Sequence, residues 1–207
     1  MLLEPAGSLE PFNPDITQSY DPFFLDNPEL KAGRHRTVIT LPCFLGTIIQ
    51  PHSELQLKKE LNGYFRETHP GVDASLSLTQ IRNLKLMLCK LGFQLDLEIS
   101  SIAVAIVYLE KLILKNFVQK TNKKLIGVIC LLLAAKVNDP KETTYTNIIQ
   151  AAATEFELLP KDIYAQEFST YAALEFNLFL PPWEVKPHLD RIRTMNSTTN
   201  ISSEEVD

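Results

Sequence analysis

Residues 125–135 form a run of eleven uncharged, mostly apolar residues that stops abruptly at Lys136. Such a run is well short of the ~20 apolar residues that a bilayer-spanning helix needs. It also has no polar face, so it predicts a helix enclosed by protein on every side. A helix of that kind needs neighbours to enclose it. Residues 102–109 supply a second, apolar on all faces until Glu110 and Lys111. Two apolar helices lying side by side, wrapped by amphipathic ones, predict an all-α fold.

The surrounding helices are marked by their start and stop signals. Ser53 with Gln56 forms a capping-box pattern ahead of Leu57, Leu61, Tyr64 and Phe65, and His69-Pro70-Gly71 ends that amphipathic segment. Ser77 with Gln80 repeats the pattern before Ile81, Leu84, Leu88 and Leu91, with Gly92 as the expected stop. Ser100 or Ser101 is the expected cap of the next helix, Thr121 that of the apolar run, and Asp139-Pro140 its end. Thr143 or Thr144 then opens a helix carrying Tyr145, Ile148, Ile149, Ala152 and Phe156. Pro160, at a first-turn position, opens one carrying Ile163, Tyr164, Phe168, Tyr171, Leu174 and Leu178, which Pro181-Pro182 stops.

The ends of the chain differ from this block. Residues 1–52 hold seven of the thirteen prolines and read as an extended arm, with a β-rich stretch at residues 37–41. The arm's aromatic residues are unlike those of a disordered tail, so it should dock on the helical body. Tyr20 has two readings, an anchoring aromatic or a tyrosine-kinase target. Residues 53–72 form the preceding amphipathic helix, 73–180 the main helical domain and 181–207 a C-terminal segment whose last dozen residues are polar and expected to be flexible.

Composition narrows the function. A net charge of −5 leaves no surplus of positive charge for a polyphosphate, so nucleic acid is not an expected partner. Lys31, Arg34, His35 and Arg36 form only a local basic cluster. Neither a GxGxxG nor a GKS/GKT phosphate loop is present, and no cofactor is expected. All four histidines lie outside residues 70–187, so no base adjoins Cys89 or Cys130, and no catalytic residue or metal ligand is expected. Cys43, Cys89 and Cys130 show no CxxC pairing and read as reduced structural thiols. The first residues lack the basic start and apolar core of a secretory signal, so cytoplasm, nucleus or both are the expected locations, with no membrane partner.

Lys136 ends the apolar helix and Glu167 lies within a later one, beside Phe168 and Tyr171. On physical grounds alone, Lys136 snorkels to water and Glu167 occupies a solvated face. The alternative is a charged pair among apolar residues, suited to gripping a partner.

From Ser77 to Leu180 the pattern resembles a cyclin box, the five-helix module of kinase-activating cyclins. The matching segments are Ala105-Ile106-Val107-Tyr108-Leu109-Glu110-Lys111-Leu112, Leu131-Leu132-Leu133-Ala134-Ala135-Lys136, and Glu167 followed by Ala173-Leu174-Glu175-Phe176-Asn177-Leu178. Residues 25–38 and 180–188 extend the likeness to the Cables family, cyclin-like proteins that link cyclin-dependent kinases to the Abl tyrosine kinase. The resemblance implies a single cyclin box preceded by an amphipathic helix and an extended arm. It also implies a non-catalytic regulator or adaptor that binds a cyclin-dependent kinase, with an Abl-type tyrosine kinase as a further partner. By resemblance Lys136 and Glu167 take the kinase-contacting positions, with Leu133, Tyr171, Phe176 and Leu178 beside them. Val137-Asn138-Asp139 stands where typical cyclins place an aromatic residue and an acidic pair, leaving Asp139 to keep part of that acidity. The first box helix has no tryptophan, so the substrate-docking groove of cell-cycle cyclins is not expected, and the 27 residues after Leu180 are too few for a second box. The long N-terminal region of the Cables family is likewise not expected. A helical scaffold binding a non-kinase or tyrosine-kinase partner is the second reading.

Overall fold

A computed structural model describes residues 20–27, 36–41, 44–49, 53–139 and 145–204; backbone alone is described for the strands and for residues 197–204. The order of elements is β1 (Arg36–Leu41), β2 (Phe44–Ile49), α1 (Glu54–Thr68), α2 (Leu78–Gln94), α3 (Ile99–Leu114), α4 (Lys123–Asn138), α5 (Tyr145–Phe156), α6 (Pro160–Ala173) and α7 (Pro182–Glu204). Helices α2 to α6 are the five of the expected box, and α1 is the amphipathic helix before them. The β-rich stretch of the arm is one strand of an antiparallel hairpin that pairs Arg36 with Ile49 and Leu41 with Phe44.

The two apolar helices form the centre. Along α4, every residue from Ile126 to Ala135 is buried, and α3 packs closely against it. The predicted capping box closes at α1: Ser53 accepts from the Gln56 amide while the Gln56 side chain accepts from the Ser53 amide. At α2 only the Ser77 half of that exchange forms. Pro160 opens α6 as expected.

Four local expectations are corrected. Gly92 does not stop α2, which runs to Gln94. A Cβ on Gly92 would lie 2.6 Å from two side-chain carbons of Ile102, so the glycine lets α3 approach α2. The serines do not cap α3, whose N-cap is Glu98. Instead Ser101 is buried, donates to Asp139 and accepts from Asn138 at 2.9 Å, tying the start of α3 to the end of α4. Asn122, not Thr121, occupies the N-cap of α4. Helix α6 ends at Ala173, before the two prolines, because Glu175 and Phe176 both adopt left-handed backbone, at φ 59° and 58°. The caps assigned to Thr143 and Thr144, Cys43 and most of the basic cluster lie outside the described residues.

The C-terminal segment is also more ordered than its composition suggests. Pro182 opens α7, which packs on α3 and seats Ile192 in the core with Val185 and Leu189 beside it. Its backbone remains helical to Glu204, through most of the stretch expected to be flexible.

Candidate functional site: a charged pair ringed by aromatic side chains

The end of α4 and the middle of α6 meet at the surface. Lys136 leaves the apolar run in the last turn of α4, where its cation faces the helix's partial negative charge. Its amine donates to the Glu167 carboxylate of α6 and stands 5.9 Å from the centre of the Tyr145 ring at the start of α5. The pair is partly open to solvent, with the side chains of Lys136 and Glu167 36% and 22% exposed.

Aromatic side chains border it. Phe168 follows Glu167 and is 70% exposed, and its ring lies 6.0 Å from that of Phe176. Tyr171, one turn along α6, meets Phe176 edge-on at 5.0 Å. The consecutive left-handed residues Glu175 and Phe176 turn the chain so that the Phe176 ring stays 55% exposed. A phenylalanine in that backbone region is strained. The turn is held by a bond from the Phe176 amide to the Tyr171 carbonyl, and by Lys115, which donates to the Ala173 carbonyl at 3.0 Å and to Glu175 at 2.7 Å. Tyr164 and Val137 add exposed apolar surface on α6 and at the end of α4.

The structure thus pairs Lys136 with Glu167 and, one turn further along α6, Tyr171 with Phe176. It places the other predicted contacts differently. Leu133 is only 4% exposed and belongs to the core. Asp139 accepts from Ser101, so its carboxylate braces α4 against α3. Leu178 is half-buried against the core, and its carbonyl accepts from the Tyr108 hydroxyl. Of the apolar residues expected on this helix, Tyr164 and Phe168 are exposed. Only Ile163 and Thr170 of α6 are fully buried.

A second charged cluster, which the sequence did not reveal, lies on α3. Glu110 has no exposed surface. Lys85 of α2 and the phenol of Tyr20 both donate to it, and His188 of α7 stands 2.8 Å from the Tyr20 oxygen. Burial holds the His188 imidazole down at about 4 and, with Glu110 beside it, pushes the Tyr20 phenol far above its ordinary value. His188 is therefore neutral at pH 7, and the Tyr20 proton stays on the phenol. Nearby, the Lys111 amine lies 2.6 Å from Glu184. The anchoring reading of Tyr20 matches this geometry.

Nothing among the described residues suggests a metal centre, and none of their helices is long and apolar enough to cross a membrane. Burial pushes the thiols of Cys89, to about 11, and of Cys130 upward, which suits structural thiols rather than nucleophiles.

The family model described as "Cyclin, N-terminal domain" matches residues 49–179, a range that holds the five-helix block and both Lys136 and Glu167; the chain belongs to that family. Its likeness to individual proteins is narrower. It is 39% identical over 175 residues to CDK5 and ABL1 enzyme substrate 1 of Homo sapiens, covering 84% of this chain and 27% of that protein. It is 36% identical over 177 residues to CDK5 and ABL1 enzyme substrate 2 of Homo sapiens, covering 85% of this chain and 37% of that protein. With the Mus musculus form of the second protein the identity is 34% over 189 residues, 91% of this chain and 39% of that protein. These are the Cables proteins, so the resemblance read from the arm and box holds. The chain spans roughly a quarter to two fifths of the length of these relatives. No solved structure matches.

Proposed function

We propose that this chain is a non-catalytic, cyclin-like adaptor that binds a cyclin-dependent kinase through the Lys136–Glu167 face and thereby influences kinase or cell-cycle signalling, in the cytoplasm, the nucleus or both. The observation that carries the reading is the pairing of Lys136 with Glu167 at a partly open surface bordered by Phe168, Tyr171 and Phe176. A partner that covers this surface removes water from the pair and strengthens it, while the rings supply apolar area of ~25 cal/mol per Å² before association costs. Charge fixes the partner's orientation, and the aromatic residues provide most of the grip. Such a site positions another protein's elements and performs no bond chemistry of its own.

The names of the relatives support a kinase connection, and they favour a second reading because they name ABL1 beside CDK5. In that reading the cyclin box is a scaffold for a tyrosine kinase, or for a non-kinase protein, and Lys136–Glu167 serves the fold.

A pull-down of the purified chain against a panel of cyclin-dependent kinases and Abl separates the two, with Glu167→Lys and Lys136→Ala/Glu167→Ala run in parallel. Capture of a cyclin-dependent kinase that both variants lose, with helicity and melting unchanged, supports the adaptor. Capture that survives both variants, or capture of Abl alone, moves the function to the scaffold.

A further inference from the structure

Residues 20–26 cross the body without joining a helix or strand, and side chains from the body hold almost every position. The Tyr20 hydroxyl donates to Glu110 of α3, and Lys111 stands 5.4 Å over its ring. The Pro22 carbonyl accepts from Arg191 of α7 at 3.4 Å, and that guanidinium covers the Phe23 ring at 5.0 Å. His69, at the end of α1, lies 2.8 Å from the Phe24 carbonyl and meets the Phe24 ring edge-on. Leu25 is buried, and Asp26 receives both Nε and Nη2 of Arg82 from α2, at 2.6 to 3.1 Å.

This is how a protein holds a bound peptide. Main-chain carbonyls are met by side chains, charged residues anchor the ends, and two apolar residues, Pro22 and Leu25, are buried between them. Phe23 and Phe24 stay exposed, so the buried apolar area that ties the segment to the body comes from Pro22 and Leu25. We propose that this groove is a recognition site for an unmodified tyrosine within an extended peptide, filled in cis by residues 20–26 and open to the same sequence in trans when the arm is out. It shares no residue with the Lys136–Glu167 face and does not depend on the kinase reading.

The tyrosine pocket sets the selectivity. Its far wall is the fully buried Glu110 carboxylate, held by Lys85, with the neutral, buried His188 ring beside it. The phenol proton goes to Glu110, so His188 serves the phenol oxygen as a donor. Partners already at hydrogen-bond distance leave no room for a phosphoryl group, whose negative charge would meet a carboxylate that cannot turn to water. Phosphotyrosine is excluded, and so is a phenylalanine that leaves Glu110 short of a donor.

The test uses a fluorescein-labelled peptide of residues 18–28 and the full chain carrying Tyr20→Ala/Asp26→Ala, which weakens the resident arm while keeping Leu25. The expected result is saturable binding at least tenfold tighter than to the unaltered chain, lost with the phosphotyrosine peptide and reduced at least tenfold when Glu110→Gln is added. No binding to the arm variant, equal binding to the unaltered chain, or equal binding of the phosphopeptide would each overturn the proposal. If the variant loses helicity, the peptide is added in excess to the unaltered chain and hydrogen exchange is followed at the Phe23 and Phe24 amides, which are bonded to Asp21. Faster exchange at those amides is then expected, and unchanged exchange overturns the proposal.

Discussion

Two lysine–glutamate pairs stand on this fold in opposite surroundings. Lys136–Glu167 joins α4 to α6 at the surface, whereas Lys85–Glu110 joins α2 to α3 with the glutamate fully enclosed. Each has a tyrosine beside it: Tyr145 lies against the exposed lysine, and Tyr20 donates to the buried glutamate. The same residue types therefore do different work, decided by water. An exposed pair is screened and adds little to stability, which leaves it available to a partner. A buried pair has lost its hydration, so each member depends on every bond it makes.

The largest expected effect is at the buried pair. Glu110→Ala leaves the Lys85 amine and the Tyr20 phenol without their shared acceptor, and unfolding by urea should show a loss of about 3–5 kcal/mol. A loss below about 1 kcal/mol would erase the distinction between the two pairs.

Acid should act on the same cluster. His188 has its proton affinity lowered in the folded chain, so the unfolded chain takes up the proton first. The stability due to the neutral imidazole is complete above about pH 6.5 and is lost as pH falls toward about 4. Asp26 adds loss of the same sign at lower pH: burial alone would raise it, but the Arg82 hydrogen bonds and charge outweigh burial and lower it. Denaturation curves at pH 7 and pH 4.5 should differ by about 2 kcal/mol more in the unaltered chain than in His188→Gln. Equal differences would remove His188 from the account.

At the exposed pair the stability effect is small and the binding effect large. Glu167→Ala should shift unfolding by less than about 1 kcal/mol, while kinase capture should fall at least tenfold, about 1.4 kcal/mol. A drop in stability like that of Glu110→Ala would make this pair structural too. The smallest stability effect belongs to Phe176→Gly. Relief of the left-handed backbone offsets the loss of a half-exposed ring, so melting should stay within about 1 kcal/mol of the unaltered chain while capture weakens.

The contrast between the pairs also explains what the sequence could reveal. Signals confined to a few neighbouring residues were legible: the Ser53–Gln56 capping box, Pro160 at the start of α6 and the apolar run that became α4. Lys136 and Glu167 were found because each departs from its own helix's pattern, and the resemblance to a cyclin box placed them together. Glu110 gave no such signal. It reads as the charged end of an apolar stretch, and its partners lie 25, 78 and 90 residues away in sequence. Ser101 was misread for a related reason: a serine near a helix start favours a cap, while its actual partners, Asp139 and Asn138, arrive from another helix. Leu133 and Asp139 are expected at the contact surface only through the resemblance, and burial and a hydrogen bond turn them inward.

The contacts of Tyr20 also set a schedule for folding. Its hydroxyl waits for His188, 168 positions later in the chain, and the Pro22 carbonyl waits for Arg191, 169 positions later. Helices α3 and α4 pair across a short connection and can condense as soon as both have left the ribosome. The arm leaves first, yet it has no complete seat until α7 has emerged. Glu110, once made, is thus without its phenol until α7 emerges, and an arm made before the helical body is among the last elements to be placed.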